Sequence, residues 1–260
     1  MRAFACALAA SAALWAGAAP AAPARVASLN LCTDGLLLML ARPGQIASVT
    51  HLSQSPAESP LWRQARKYRH NDGSLLAVAP LRPDLVITMG GGGADRAGIA
   101  RRLGVKMLDL PFARSLADVE RSIAAVAAAL GREAQGRELL ARMDALKRSA
   151  PRRSIDTIWL GGGGRSVAAS GLAAAWMRLA GFRQRALPGD RLSLEELLVR
   201  PPALLLRSDY RSGQHSGEQS WLSHPLLKRP RAVVTDGRRW TCMGPALMDE
   251  MARLRRAARR

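Results

Sequence analysis

Residues 74–87, SLLAVAPLRPDLVI, and residues 193–206, SLEELLVRPPALLL, align without a gap when Pro83 is set over Pro202. Ser74 falls on Ser193, Leu75 on Leu194, and an apolar run follows the proline in each copy. Each stretch reads as a short helix, a proline stop and a strand. The strand residues are continuously apolar rather than alternating, which is the pattern of a parallel sheet buried on both faces. Two copies at the same point of a helix-then-strand order predict a duplicated α/β unit.

Working outward, residues 25–30 predict a strand and 34–41 a helix, and 43–50 give a turn with a second strand. Residues 83–89 form a third strand, 94–103 a helix and 104–110 a fourth strand. This alternation is the signature of βαβ units. Residues 115–131 and 132–150 contain no proline and repeat apolar side chains at helical spacing, with a break at Gly131. Ser115 with Asp118 is capping-box-like, and Pro151 ends the run. The alternation then resumes, with strands at 154–160, 201–209 and 231–237 and helices at 171–182 and 193–200. The fold class is α/β: two Rossmann-like lobes with parallel sheets, joined by a long helix. The N-terminal lobe is expected at 23–114, the connecting helices at 115–150 and the C-terminal lobe at 151–260.

Residues 1–22, MRAFACALAASAALWAGAAPAA, read as a cleaved signal peptide: one Arg, a short apolar stretch, then small residues in A-x-A order. The later chain offers no apolar run long enough to span a bilayer. An exported, soluble protein is expected. Two cysteines, Cys32 and Cys242, remain after the signal, and sequence alone leaves a bridge and two free thiols equally open. The formal net charge of +19 calls for an anionic partner. The arginines are scattered and the chain is exported, so nucleic acid is not expected. The dense tail, 253–260, reads as a solvated helix end, with attraction to the inner membrane surface as the alternative.

Two glycine strings, VITMGGGG at 86–93 and TIWLGGGG at 157–164, invite a nucleotide reading and fail its tests. Arg165-Ser166 stand where a phosphate loop needs Lys-Ser/Thr, and Val167 and Arg96 occupy the third-glycine positions of a dinucleotide fingerprint. The simplest alternative is a surface turn. Position favours a ligand cleft, because open α/β sheets bind ligands beyond their strand carboxyl ends. Gly164-Arg-Ser166-Val-Ala168 misses the nucleophile elbow at its last position. The four histidines, His51, His70, His215 and His224, lack metal-ligand spacing, so no metal site, catalytic residue or cofactor is expected. Trp221 and Trp240 stand in polar, loop-like surroundings and suit stacking on a planar ligand as well as they suit core packing.

The phrases RVASLNLCTDGLLLML (25–40), LRPDLVI (81–87), RRLGVKMLDL (101–110), SLADVERSIAAVAAALG (115–131), LSLEELL (192–198) and WTCMGP (240–245) resemble the substrate-binding proteins of ABC importers for vitamin B12, ferric siderophores and haem. The resemblance runs over the whole mature chain. It implies a periplasmic protein whose lobes hold the ligand in a cleft, with a long helix limiting closure. Carried over by position, the cleft would be lined by Asn30, Leu31, Cys32 and Thr33, by His51, and by Met89, Gly90 and Gly91. From the second lobe come Leu160, Gly161, Gly162 and Arg165, then Asp209, Tyr210, Trp221 and Trp240. The family carries a permease-docking glutamate on each lobe. Glu195 holds that place in the second lobe, whereas its partner in the first is Leu76. The leading expectation is capture of a ferric siderophore or haem and delivery to an ABC importer permease. Cobalamin is the alternative ligand, and an exported α/β enzyme acting on a phosphorylated substrate is the alternative from another class.

Overall fold

The computed structural model describes residues 22–90, 93–210 and 217–258. Residues 1–21 of the expected signal peptide (1–22), Gly91 and His215 lie outside them. The first lobe contains β1 (Val26–Ser28), α1 (Leu31–Leu40), β2 (Ile46–Thr50), α2 (Trp62–Ala65), β3 (Arg69–Asn71), α3 (Leu75–Val78), β4 (Leu85–Met89), α4 (Gly93–Arg102) and β5 (Lys106–Leu110). Its sheet runs β3-β2-β1-β4-β5, with every pairing parallel. Two helices follow, α5 (Leu116–Leu130) and α6 (Glu133–Arg148). The second lobe contains β6 (Ile155–Leu160), α7 (Leu172–Leu179), β7 (Phe182–Gln184), α8 (Leu194–Val199), β8 (Leu204–Ser208), α9 (Gly217–Trp221), β9 (Ala232–Thr235), α10 (Arg238–Cys242) and α11 (Leu247–Ala258). Its sheet is also all parallel, in the order β7-β6-β8-β9.

The duplication read from residues 74–87 and 193–206 appears in the topology. β2-β1-β4-β5 and β7-β6-β8-β9 are the same order, so β4 corresponds to β8 and β1 to β6. Ser74 caps α3 by accepting the Ala77 N–H, and Ser193 caps α8 by accepting the Glu196 N–H. The strand after Pro83 begins at Leu85 and that after Pro202 at Leu204, the same offset. The two glycine strings are therefore not copies of each other. The 157–164 string is the counterpart of β1 and its turn, whereas residues 86–91 of the other string correspond to residues 205–210.

The helical link starts at the capping box of Ser115 and Asp118 and breaks at Gly131, whose left-handed backbone closes α5. α5 packs on α1 of the first lobe and α7 of the second. Its buried face, Val119, Ile123, Val126 and Leu130, belongs to one apolar core that includes Leu37 and Ile87 on one side and Trp176, Phe182 and Met251 on the other. The lobes thus share a continuous interior, so moving them apart would expose apolar surface at about 25 cal/mol per Å². A disulfide joins Cys32, in the first turn of α1, to Cys242, at the end of α10, with Cα atoms 5.2 Å apart. Both thiols are consumed, which resolves the alternative that the sequence left open.

Two strands escape the sequence reading. β3 and β7 are three-residue edge strands, Arg-His-Asn and Phe-Arg-Gln, too short to show a period. The tail is also more than a solvated helix end. α11 buries Leu247, Met248, Met251 and Leu254 on one face, and it packs on α6 and α7. Among the described residues no helix is long and apolar enough to cross a membrane.

Candidate ligand cleft

The carboxyl ends of both sheets carry the residues singled out from the sequence. The lobes also touch directly there. Tyr210 Oη donates to Glu58 Oε2 at 2.6 Å, and Arg238 Nη1 donates to the Pro56 carbonyl at 2.7 Å. Beside these contacts and the disulfide lies a small, mainly apolar recess of ≈ 40 Å³, lined by Leu31, Met39 and Leu61 from the first lobe and by Arg238 and Pro245 from the second.

In the first lobe, Asn30 caps α1 by accepting the Cys32 N–H at 2.8 Å. Thr33 does not line a cleft. It is fully buried, its hydroxyl donating to the Asn30 carbonyl and sharing a hydrogen bond with Ser28 Oγ at 2.7 Å. Leu31 and Cys32 are half-buried and border the recess, with the Cys32 sulfur committed to the disulfide. His51 is exposed just past β2, with Nδ1 3.3 Å from the Asn71 carbonyl oxygen. Asn71 is itself fixed by donating to Ser28 O and Ser48 Oγ. Met89 is half-buried against the core. Gly90 has φ +96°, and the ring of Phe112 lies over it so closely that an added Cβ would sit 2.4 Å from Cζ. Phe112 is 62% exposed.

In the second lobe the glycines serve packing. The expectation that they bring backbone to a ligand needs correcting for Gly161 and Gly164, which are both buried. A Cβ on Gly161 would meet the Trp159 ring at 3.1 Å. Gly164 has φ +76°, and a Cβ there would lie 2.7 Å from the Leu192 carbonyl oxygen and 3.2 Å from the Trp221 ring. Backbone bonds from Gly161 N to Arg165 O and from Leu192 N to Gly164 O lock the turn. Gly162 stays half-exposed and Arg165 exposed at its edge. Leu160 is wholly buried and belongs to a core with Leu197 and Leu205, so only its backbone reaches the strand end. Asp209 is exposed, and Tyr210 is engaged with Glu58.

The tryptophans divide. Trp221 is half-buried and covers the glycine turn. Trp240 is no exposed platform: it is 6% exposed in the main core, and its indole N–H donates to Thr235 Oγ1 at 2.8 Å. Thr235 in turn donates to Glu250 Oε1 at 2.7 Å, and Arg253 pairs with that carboxylate. Burial alone would raise the Glu250 pKa. The hydrogen bonds from Arg253 and Thr235 outweigh it and hold the carboxyl below its ordinary range. Asp236 behaves likewise: burial is outweighed by the Arg238 hydrogen bonds and by the charges of Arg238 and Arg239. Asp34 is the opposite case. Burial pushes it up to about 6, against hydrogen bonds from Ser28, Thr50 and Ser53.

Sequence reading missed Phe112, Glu58, Arg238 and Trp159. Phe112 follows β5, a strand-end position that the crevice rule covers. Trp159 alternates inward on β6 beside Trp240, ring centroids 6.0 Å apart, and its indole nitrogen is buried with no hydrogen-bond partner. Glu58 stands in a Ser/Pro-rich loop with no periodic signal. Farther out, Glu195 is exposed on α8, and Leu76 is 72% exposed at the matching place on α3.

The family model described as periplasmic binding protein matches residues 26–237. No curated protein sequence matches the chain. Among solved structures, the chain is similar to the periplasmic haem-binding protein RhuT from Roseiflexus sp. RS-1 in apo form, with 22% identity, 90% of this chain and 97% of that one covered, and a TM-score of 0.67. It is similar to the periplasmic vitamin B12 binding protein BtuF of Vibrio cholerae at 17% identity, with 89% and 95% covered and a TM-score of 0.60. The siderophore-binding protein BauB, bound to two acinetobactin molecules and ferric iron, gives 13% identity, 91% and 93% coverage and a TM-score of 0.68.

Proposed function

We propose a role that starts from one premise: this chain belongs to the family of periplasmic binding proteins. It captures a metal chelate, a ferric siderophore or haem, in the cleft between its lobes, and delivers it to an ABC importer without chemical change. One observation carries the reading. Each lobe lays an aromatic ring over a glycine at its strand ends, the exposed Phe112 over Gly90 and the half-buried Trp221 over Gly164. Paired apolar faces with polar groups at the rim suit a large, partly planar ligand. Arg165, His51 and Asp209 supply that rim. The net positive charge favours an anionic chelate over neutral cobalamin, which the same rings would also accept. Glu195 is the group offered to the permease from the second lobe.

A tryptophan-fluorescence titration with haemin, several ferric siderophores and cyanocobalamin tests the reading. One chelate should quench at micromolar concentration or below, and Arg165→Ala should weaken an anionic one about tenfold, the value of one charge-assisted contact. Silence toward every chelate removes the reading. Consumption of a nucleotide in a turnover assay would replace it with the enzyme alternative.

A further inference from the structure

We infer that the end of the second lobe farthest from the cleft is a docking surface for an anionic phospholipid membrane. Because every strand of that sheet is parallel, all four start at this end, opposite the carboxyl ends that face the cleft. Three helices finish here too. Arg255 of α11 donates to Leu179 O at the end of α7, to Leu146 O near the end of α6 and to Ser149 Oγ. Arg231, leading into β9, donates to Ala257 O of α11 at 2.8 Å. Pro151, ahead of β6, packs on Gly181, ahead of β7. These contacts gather the helix ends and strand starts into one compact pole.

The simplest account of arginines at helix carboxyl ends is that they satisfy carbonyls and complement the helix dipoles. Arg255 and Arg231 do that. Around them stand Arg148, Arg152, Arg153, Arg178 and Arg256, all exposed, and none forms an ion pair among the described residues. The nearby carboxylates are already engaged, Asp156 by Arg183 and Arg185 and Asp144 by Lys147. Three of the five, Arg148, Arg178 and Arg256, stand in the last turns of α6, α7 and α11, where they complement the helix dipoles, and Arg152 and Arg153 add two further charges that no helix end calls for.

The composition of the pole selects the partner. It is an end built from helix tips and strand starts. The aromatic residues of this region, Trp176 and Phe182, are fully buried, so no ring is available to stack bases. Clustered arginines without aromatics fit a broad array of phosphate headgroups, each charge near such a surface contributing about 1 kcal/mol. The corresponding end of the first lobe also carries cations, Arg25, Arg82, Arg101, Arg102 and Lys106, and differs in mixing them with Asp84, whose carboxylate accepts the Ala24 and Arg25 N–H groups.

Co-sedimentation with vesicles of phosphatidylcholine, with and without phosphatidylglycerol, tests this. Binding should require the anionic lipid and fall with added salt. The triple variant Arg152→Glu/Arg153→Glu/Arg178→Glu should lose at least about a hundredfold in partitioning, since each charge corresponds to about fivefold. The control Arg82→Glu/Arg101→Glu/Lys106→Glu has the same net charge and should lose less than tenfold. Near-universal retention of the circular dichroism spectrum and of chelate binding separates this surface from the cleft, and glutamine replacements provide a milder set. Equal loss in both variants would assign binding to net charge and overturn the proposal. So would failure of the unaltered protein to bind the vesicles, or retention on soluble polyphosphate in preference to them.

Discussion

Gly90 and Gly164 both stand past a buried strand in left-handed backbone, one in each lobe, yet different things lie over them. Above Gly90 is the side chain of Phe112, largely exposed and able to swing away. Above Gly164, nearer than the half-buried ring of Trp221, is the carbonyl of Leu192, a residue anchored by its own N–H donating to the Gly164 carbonyl. A turn covered by a movable ring can admit a ligand, whereas one locked by backbone is scaffold. The lobes share a topology and differ in which of them is built to yield.

The largest expected effect concerns whether the lobes act as one body. Cys32 and Cys242 are 210 residues apart, and in the chain-entropy account closing a loop of that size contributes roughly 5 kcal/mol. Cys32→Ala/Cys242→Ala should lower the urea midpoint steeply, measured against the oxidised protein. An unchanged midpoint would mean that the shared core around α5 alone unites the lobes.

Next comes acidity. Each lobe ties the end of its second strand with a buried polar side chain. In the first, Asp34 accepts the Thr50 N–H and hydroxyl. In the second, the neutral Gln184 accepts the Trp159 N–H and donates to Ser166 Oγ. Burial raises Asp34 from the ordinary carboxylate value of 3.8 to about 6 in the folded state, so the native state takes up a proton that the unfolded state does not. Its cost to stability is therefore present above about pH 6 and relieved as pH falls toward about 4, a gain of about 3 kcal/mol. Urea unfolding at several pH values should show this gain in the unaltered protein and lose it in Asp34→Asn. A pH response that persists in the variant would move the effect to another group.

The smallest effects sharpen the opening contrast. Gly164→Ala should cost about 2–3 kcal/mol, since a left-handed alanine meets an immovable carbonyl. Gly90→Ala should cost about 1 kcal/mol, because Phe112 can give way, and should weaken chelate binding by displacing that ring. Thermal melts with a ligand titration check both, and equal destabilisation would erase the distinction.

The repeat, the parallel sheets and the helical link were legible because residues such as Pro83, Pro202, Ser115 and Gly131 punctuate long apolar periods. β3 and β7 were not, since their three residues carry no period and their placement comes from neighbours. Position also predicted which segments reach the cleft end but not which way side chains point. Thr33, Leu160 and Trp240 reach that end only to turn inward. Phe112 turns outward, and no local pattern marks it. The Cys32–Cys242 pairing needed geometry, because a separation of 210 positions places no limit on where the two ends meet.

That clasp also sets an order of events. Cys32 is made early and Cys242 only after 210 further residues, so the bond cannot close until the β9–α10 segment has emerged. Until then the first lobe must carry a reactive sulfur with no legitimate partner, at the head of α1. The half-buried setting of Cys32 in the first turn of that helix is a place where a thiol can wait, partly screened from other chains, while the rest of the protein is still being delivered.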